Sequence, residues 1–196
     1  MIKRLFDVTA ASIGLLFLSP LFVVVSLWIK LDSRGPVFYK QIRVGRNNKD
    51  FKLFKFRSMR PDSDKLGLIT VGGHDPRVTR SGYFIRKYKL DEFPQLINVV
   101  KGDMSLVGPR PEVRKYVSMY SPEQMKVLSV RPGITDPASI AYRNENEILE
   151  GKDNPDDYYV NVIMPDKLRI NLEYVNNRSF LKDLKVIFAT FKAIGS

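Results

Sequence analysis

The first strong pattern along the chain is an apolar run with no charged interruption. From Val8 to Ile29, 22 residues carry no charge, bracketed by Lys3, Arg4 and Asp7 before and Lys30, Asp32 and Arg34 after. Such a run is long enough to cross a bilayer as a helix. Ser19-Pro20 falls near its middle. Proline removes a backbone donor and crowds the preceding turn, and Ser19 is placed to bond the carbonyls that Pro20 frees. Two helical halves of about ten residues are expected, each too short to span. A helix-break-helix hairpin that enters one leaflet and returns is one reading, and a kinked spanning helix is the other. Spanning would send all but two of the 32 Lys and Arg residues to the side opposite Lys3 and Arg4, although long domains do cross regardless of charge. The residues themselves leave both open. A signal peptide fits less well, because the run is long and lacks a small-x-small cleavage site.

Beyond this run the periods change. FKLFKFRSM, residues 51–59, alternates apolar and basic positions and predicts a half-buried strand with a cationic face. A glycine- and proline-containing connection, LITVGGHDPRVTRSG, leads to a helical stretch holding YFIRKY. From Asp91 onward, Phe93, Leu96, Ile97 and Val100 recur at helical spacing, and Gly102 closes the run. Pro94 suits the first turn of that helix, so Asp91 and Glu92 are expected at its N-terminus, where the macrodipole favours ionised carboxylates. After the acidic stretch NENEILEGKDNPDDYY, residues 180–194 form an apolar face set with Lys182, Lys185 and Lys192, the pattern of an interfacial helix. This helix is expected to pack on membrane or on a second copy of the chain in a homodimer. The fold class is α/β (α+β), mostly helical, with short strands and amphipathic interfacial helices. Residues 1–34 are expected to form the membrane segment and residues 35–196 a single folded domain.

Composition narrows the chemistry. The chain of 196 residues is 44% apolar and 27% charged, with 32 Lys and Arg against 21 Asp and Glu, a net charge of +11. That favours polyanionic partners: nucleic acid, anionic lipid or phosphorylated substrates. There is no cysteine, and His74 is the sole histidine. Disulfides, thiolate metal sites and multi-histidine sites are thereby excluded, and a Ser-His-Asp system would have to rest on His74, which reads as a loop residue. Nucleic-acid binding offers no reason for the uncharged run, and the aromatics are not arranged as a stacking stretch among the basic residues.

Arg77, Arg80, Arg86, Lys87 and Lys89 precede the Asp91-Glu92 pair, and Arg110 follows it in GPRPE. Cations gather where phosphates bind, and a carboxylate among them is useful if it attacks phosphorus or holds a divalent metal. One carboxylate as nucleophile and its neighbour as magnesium ligand require no histidine base. A helix cap paired with surface arginines is the plainer alternative for the dipeptide alone. Lys55 and Arg57 in KFRSM are further phosphate candidates, and Tyr142-Arg143-Asn144 is a candidate sugar contact.

Residues 75–112, DPRVTRSGYFIRKYKLDEFPQLINVVKGDMSLVGPRPE, closely resemble the core signature of the bacterial sugar transferases, the monotopic phosphoglycosyl transferases. KRLFDVTAA with its Ser-Pro break, GPVFYKQIRVGRNNKDFKLFKFRSM, RPGIT and YVNNRSFLKDLKVIF extend the resemblance over nearly the whole chain. It implies a re-entrant membrane helix broken at Ser19-Pro20, in a protein seated in the bacterial inner membrane with its catalytic domain facing the cytoplasm. It implies a nucleoside diphosphate sugar as donor, usually a uridine one, and polyprenyl phosphate as acceptor. Asp91 then matches the aspartate that forms a covalent phosphosugar intermediate, and Glu92 the glutamate that helps bind magnesium. Pro109, Arg110 and Pro111 match the motif at the nucleotide, and the chain corresponds to the minimal catalytic part of larger members. Lys55, Arg57, Arg77, Arg80 and Arg86 remain candidates for phosphate or lipid headgroups. Asp136, where the family often has glycine, and Asn171, where relatives have an acidic residue, depart from the pattern and bear on the acceptor and sugar sides. A non-catalytic adaptor on anionic lipid is the rival reading.

Overall fold

The computed structural model describes residues 2–63 and 75–194, so His74 lies outside the described residues. The uncharged run forms a single helix, α1 (Ile2–Asp32), which continues through Pro20 where two halves were expected. The bond that Pro20 cannot make would have ended on the carbonyl of Leu16. Ser19 Oγ donates to that carbonyl at 2.7 Å, so the group the proline strands is satisfied and the helix carries on. Asp7, Ala11, Val25 and Ile29 mark one buried stripe of α1. Leu16, Phe17, Val23, Val24, Leu27 and Leu31 are exposed, and the helical period puts them on the opposite side.

The charged residues around the run bond to protein. Arg4 donates to the carbonyls of Val99 (2.6 Å) and Val100 (3.1 Å), and Lys3 to that of Val107 (3.1 Å). Asp7 accepts from Ser105 Oγ at 2.7 Å. At the other end Asp32 accepts from the amide and hydroxyl of Ser81 (2.9 and 2.8 Å). Both ends of α1 are thus fastened to the same folded unit.

The alternating stretch is strand β2 (Asp50–Phe56), shorter than its predicted reach to Met59, paired antiparallel with β1 (Phe38–Val44). Asn47 and Asn48, at φ 56° and 61°, make the tight turn between them. Tyr39 stands opposite Lys55, and Arg43 opposite Phe51. Helix α2 (Arg80–Lys87) is capped by Thr79, whose side chain accepts from the Gly82 amide. A single 3-10 turn, Leu90–Glu92, precedes α3 (Gln95–Lys101), with Pro94 at its N-cap and Gly102 closing it at φ 97°. The carboxylate pair therefore occupies its own turn upstream of the helix it was expected to open.

The buried face of α3 is Gln95, Asn98 and Val99, whereas Val100 is exposed. This differs from the predicted apolar face because α3 is wedged between α1 and β2. Asn98 donates to Lys52 O (2.8 Å) and accepts from Phe54 N (2.9 Å), completing the strand edge as a neighbouring strand would.

Two further short strands, β3 (Ser105–Val107) and β4 (Gly133–Thr135), pair in parallel. They meet beside Gly108 and Gly133, where a Cβ on Gly133 would fall 2.1 Å from the Gly108 nitrogen; glycine is required for this approach. The contact joins GPRPE to RPGIT. The remaining elements are α4 (Arg114–Val117), α5 (Pro137–Ala141), α6 (Glu145–Glu150), α7 (Pro155–Tyr158), α8 (Met164–Asn176) and α9 (Phe180–Ile194). The bounds of α9 are those read from the sequence. It presents Leu181, Phe188 and Phe191 outward, while Asp183 is buried against Lys3 and Tyr174. Asp136 is a buried cap for α5, accepting from the amides of Ala138 (2.9 Å) and Ser139 (3.1 Å). The molecule is mostly helical, with two small two-stranded sheets among the described residues.

Candidate active site

Asp91 and Glu92 line a 550 Å³ cleft between the β1–β2 hairpin, the α2–α3 connection and the GPRPE loop. Lys89, in the left-handed conformation at φ 55°, turns the chain so that both carboxylates follow on one tight turn. Lys55 reaches across from β2, its Nζ 3.2 Å from Glu92 Oε1 and 3.6 Å from Asp91 Oδ2. Arg110 grips Glu92 through both terminal nitrogens, Nη1 to Oε2 at 3.1 Å and Nη2 to Oε1, a bidentate fork.

The two neighbours are pushed in opposite directions. Burial raises the Asp91 carboxyl above its ordinary range; Lys55 opposes and Glu92 adds to the rise. Burial would raise Glu92 as well, but Arg110 and Lys55 outweigh it and hold that carboxyl well below the usual range. Arg110 is in turn raised, chiefly by Glu92. One carboxylate is thus basic and lightly paired, the other firmly ionised. Two carboxyls separated this way are equipped for different tasks.

The other expected residues divide. Arg77 and Arg86 line the cleft; Arg77 pairs with Asp75, Nη2 to Oδ2 at 2.6 Å, and that bond holds the Asp75 carboxyl down. Arg57 also lines the cleft, but its guanidinium turns to the end of α1, donating to the carbonyls of Ser33 (2.7 Å) and Ile29 (3.3 Å). Arg80 lies exposed in the first turn of α2, outside the cleft lining. Pro109 and Pro111 face a second cavity of 30 Å³ behind the loop, and Arg110 borders both cavities. Asn171 is buried there with its Oδ1 unpartnered. Tyr142 bonds Asp166 (2.8 Å), and Asn146 is the cleft residue from that neighbourhood.

Arg43 was not singled out by sequence. It donates to Pro111 O at 3.0 Å and reaches Glu112 at 3.4 Å, while Nε and Nη2 grip Gln41 Oε1. Tyr159 OH bonds the other Glu112 oxygen at 2.6 Å. These bonds fix the loop that carries Arg110. The signal was available: the two asparagines mark a hairpin turn, and pairing back from it sets Tyr39, Gln41 and Arg43 on the face of Lys55.

A buried carboxylate dyad among Lys55, Arg77, Arg86 and Arg110, in a chain with one long apolar helix, fits the class of membrane-associated group-transfer sites. The bacterial sugar transferase family model matches residues 1–196, and the chain belongs to that family. It is 39% identical, over 98% of its length, to a UDP-N-acetylgalactosamine-undecaprenyl-phosphate N-acetylgalactosaminephosphotransferase of Aeromonas hydrophila, and 43% identical, over 97%, to an undecaprenyl-phosphate glucose phosphotransferase of Komagataeibacter xylinus. It spans 43% and 35% of those proteins' lengths. An uncharacterised sugar transferase of Bacillus subtilis is 37% identical over 98% of the chain and is covered over 87% of its own length.

Proposed function

We propose that the protein transfers a sugar 1-phosphate from a nucleoside diphosphate sugar, a uridine one, to undecaprenyl phosphate, in the first membrane step of a glycoconjugate pathway. The observation that carries this reading is Asp91, buried and basic at the wall of a cationic cleft, with Lys55 and the Glu92–Arg110 pair beside it. An Asp91 oxygen attacks the sugar-bearing phosphorus; the new O–P bond forms as the bond to the bridging diphosphate oxygen breaks, releasing UMP. A phosphate oxygen of the acceptor then attacks the same phosphorus, the aspartyl O–P bond breaks, and the carboxylate is restored. Both nucleophiles are anions, so neither step needs a general base. Like charges must approach in each, which Lys55, Arg86 and Arg110 offset.

The oxygen donors fit magnesium, which takes one or two carboxylates together with substrate phosphate oxygens. Asp91 and Glu92 are adjacent, and Glu92 Oε2 accepts one bond, from Arg110, leaving a lone pair. Glu92 would hold the ion, which when bound neutralises charge on the diphosphate. Both ends of α1 bond to one folded unit, and a unit on one side of a bilayer cannot bond both ends of a helix that crosses it, which supports a helix seated in one leaflet. In this reading the catalytic unit faces the cytoplasm at the inner membrane, and α9 lays Leu181, Phe188 and Phe191 against anionic lipid.

The test is intact mass spectrometry of the full chain with magnesium and a panel of uridine diphosphate sugars, without acceptor. The expected result is an added mass of one sugar phosphate, absent in Asp91→Asn. No adduct with any donor, from folded protein, would overturn the reading.

A further inference from the structure

Three aromatic side chains, on α1, on α2 and in the turn that follows α2, form a continuous exposed surface. Trp28 on α1 lies 5.2 Å from Phe84 on α2, and Phe84 lies 4.5 Å from Tyr88, centroid to centroid. They are 39%, 44% and 51% exposed. The chain interleaves this surface with the site itself. Arg86 and Lys89 line the cleft; Tyr88, between them, is exposed and packs against Phe84 with the ring planes tilted by 51°, and Lys87 Nζ is 5.6 Å from its ring. On its other side the surface meets α1, where Leu27 and Leu31 flank Trp28 in sequence and are exposed.

We propose that these rings are the docking lane for the isoprenoid chain of the acceptor, holding its first units while Arg86 and Lys89 take the phosphate. The proposal rests on the transferase reading above. An acceptor with a lipid tail and an anionic head needs an apolar surface that ends at cations near Asp91, and the aromatic surface adjoins such cations. Phe17 of α1 and Phe188 and Phe191 of α9 are more exposed still, but they lie far in sequence from Arg86 and Lys89, whereas Tyr88 lies between those two cleft cations. The rings already pack on one another, so little side-chain freedom is lost when a chain lies across them. Lys87 stands on the outer side, where headgroup phosphates meet basic residues.

The test separates the two half-reactions. The full chain and the variants Phe84→Ser/Tyr88→Ser and Trp28→Ser are placed in lipid nanodiscs, loaded with donor and magnesium, then chased with undecaprenyl phosphate or with a two-isoprene phosphate. Adduct formation in the variants should match the parent within about twofold. Its discharge to undecaprenyl phosphate should slow by about tenfold, discharge to the short acceptor should be unchanged, and disc association should be retained. Equal discharge of the long acceptor by parent and variants would overturn the proposal. Equal slowing for both acceptors, or release from the discs, would also overturn it, making the rings part of the cleft wall or an anchor. An absence of adduct in the parent would instead overturn the transferase reading and remove the basis of this one.

Discussion

Two sets of basic side chains, similar in sequence, do opposite work. At the ends of α1, Arg4 and Arg57 donate to backbone carbonyls; in the cleft, Lys55 and Arg110 face carboxylates. A guanidinium bonded to several buried carbonyls holds structure, since moving it strands those acceptors. One bonded to an ionised group in an open cleft can exchange that partner for phosphate at small cost. The positive side chains behind the net charge of +11 are therefore divided between internal struts and the wall of the carboxylate cleft.

The comparison can be broken at several points. The largest effect is expected from Asp91→Asn, which should lower turnover by about a thousandfold or more, since no neighbouring group replaces the attacking oxygen; single-turnover assays with labelled donor would read it. Arg110→Ala should cost about 10²–10³ in kcat, the scale of one preorganised electrostatic contact. It should also release Glu92 from its depressed range, visible as an acid-side shift of the pH–rate profile towards higher pH.

Arg57→Ala probes the other set. Loss of its charged bonds to α1 should lower stability by about 3 kcal/mol, roughly 6–12 °C in Tm, with kcat per folded molecule little changed. The reverse outcome, normal melting with a raised donor KM, would move Arg57 into the substrate field. The smallest effect concerns Asp91 again. Its folded carboxyl titrates above the ordinary 3.8, first because it is buried. Such a group costs nothing at low pH, and destabilises increasingly as pH rises from the unfolded value through the folded one. Asp91→Asn should therefore melt roughly 2–4 °C above the parent at neutral pH, the effect of about 1 kcal/mol. That gap should close as pH falls below about 4.

Much of this arrangement was legible from local pattern. The uncharged run, the alternation of β2, the C-terminal helix and the carboxylate pair among cations each depend on neighbours within a few residues. Other features were not. Ser19-Pro20 read as a break, yet one hydroxyl bond to Leu16 keeps α1 continuous. Val100 read as core and is exposed, because α3 packs on two sides and buries Asn98 instead. Asp136 read as a change at the substrate and is a helix cap. Arg43 carried no periodic signal of its own; its task depends on a loop 68 residues away.

The sequence by itself determined the long apolar helix, the alternating strand, the C-terminal helix and the presence of a carboxylate dyad, because helical and strand periods and adjacent charges are short-range properties. Tertiary structure alone decided which cations meet which carboxylates. Lys55 and Glu92 are 37 residues apart and Arg110 and Glu92 are 18 apart, and nothing local to either partner specifies the other. Asp91 is driven up and Glu92 down only because the fold buries both and delivers Arg110 to one of them. That asymmetry comes from desolvation and Coulomb forces at contact distance, which exist only once the chain has closed around the site.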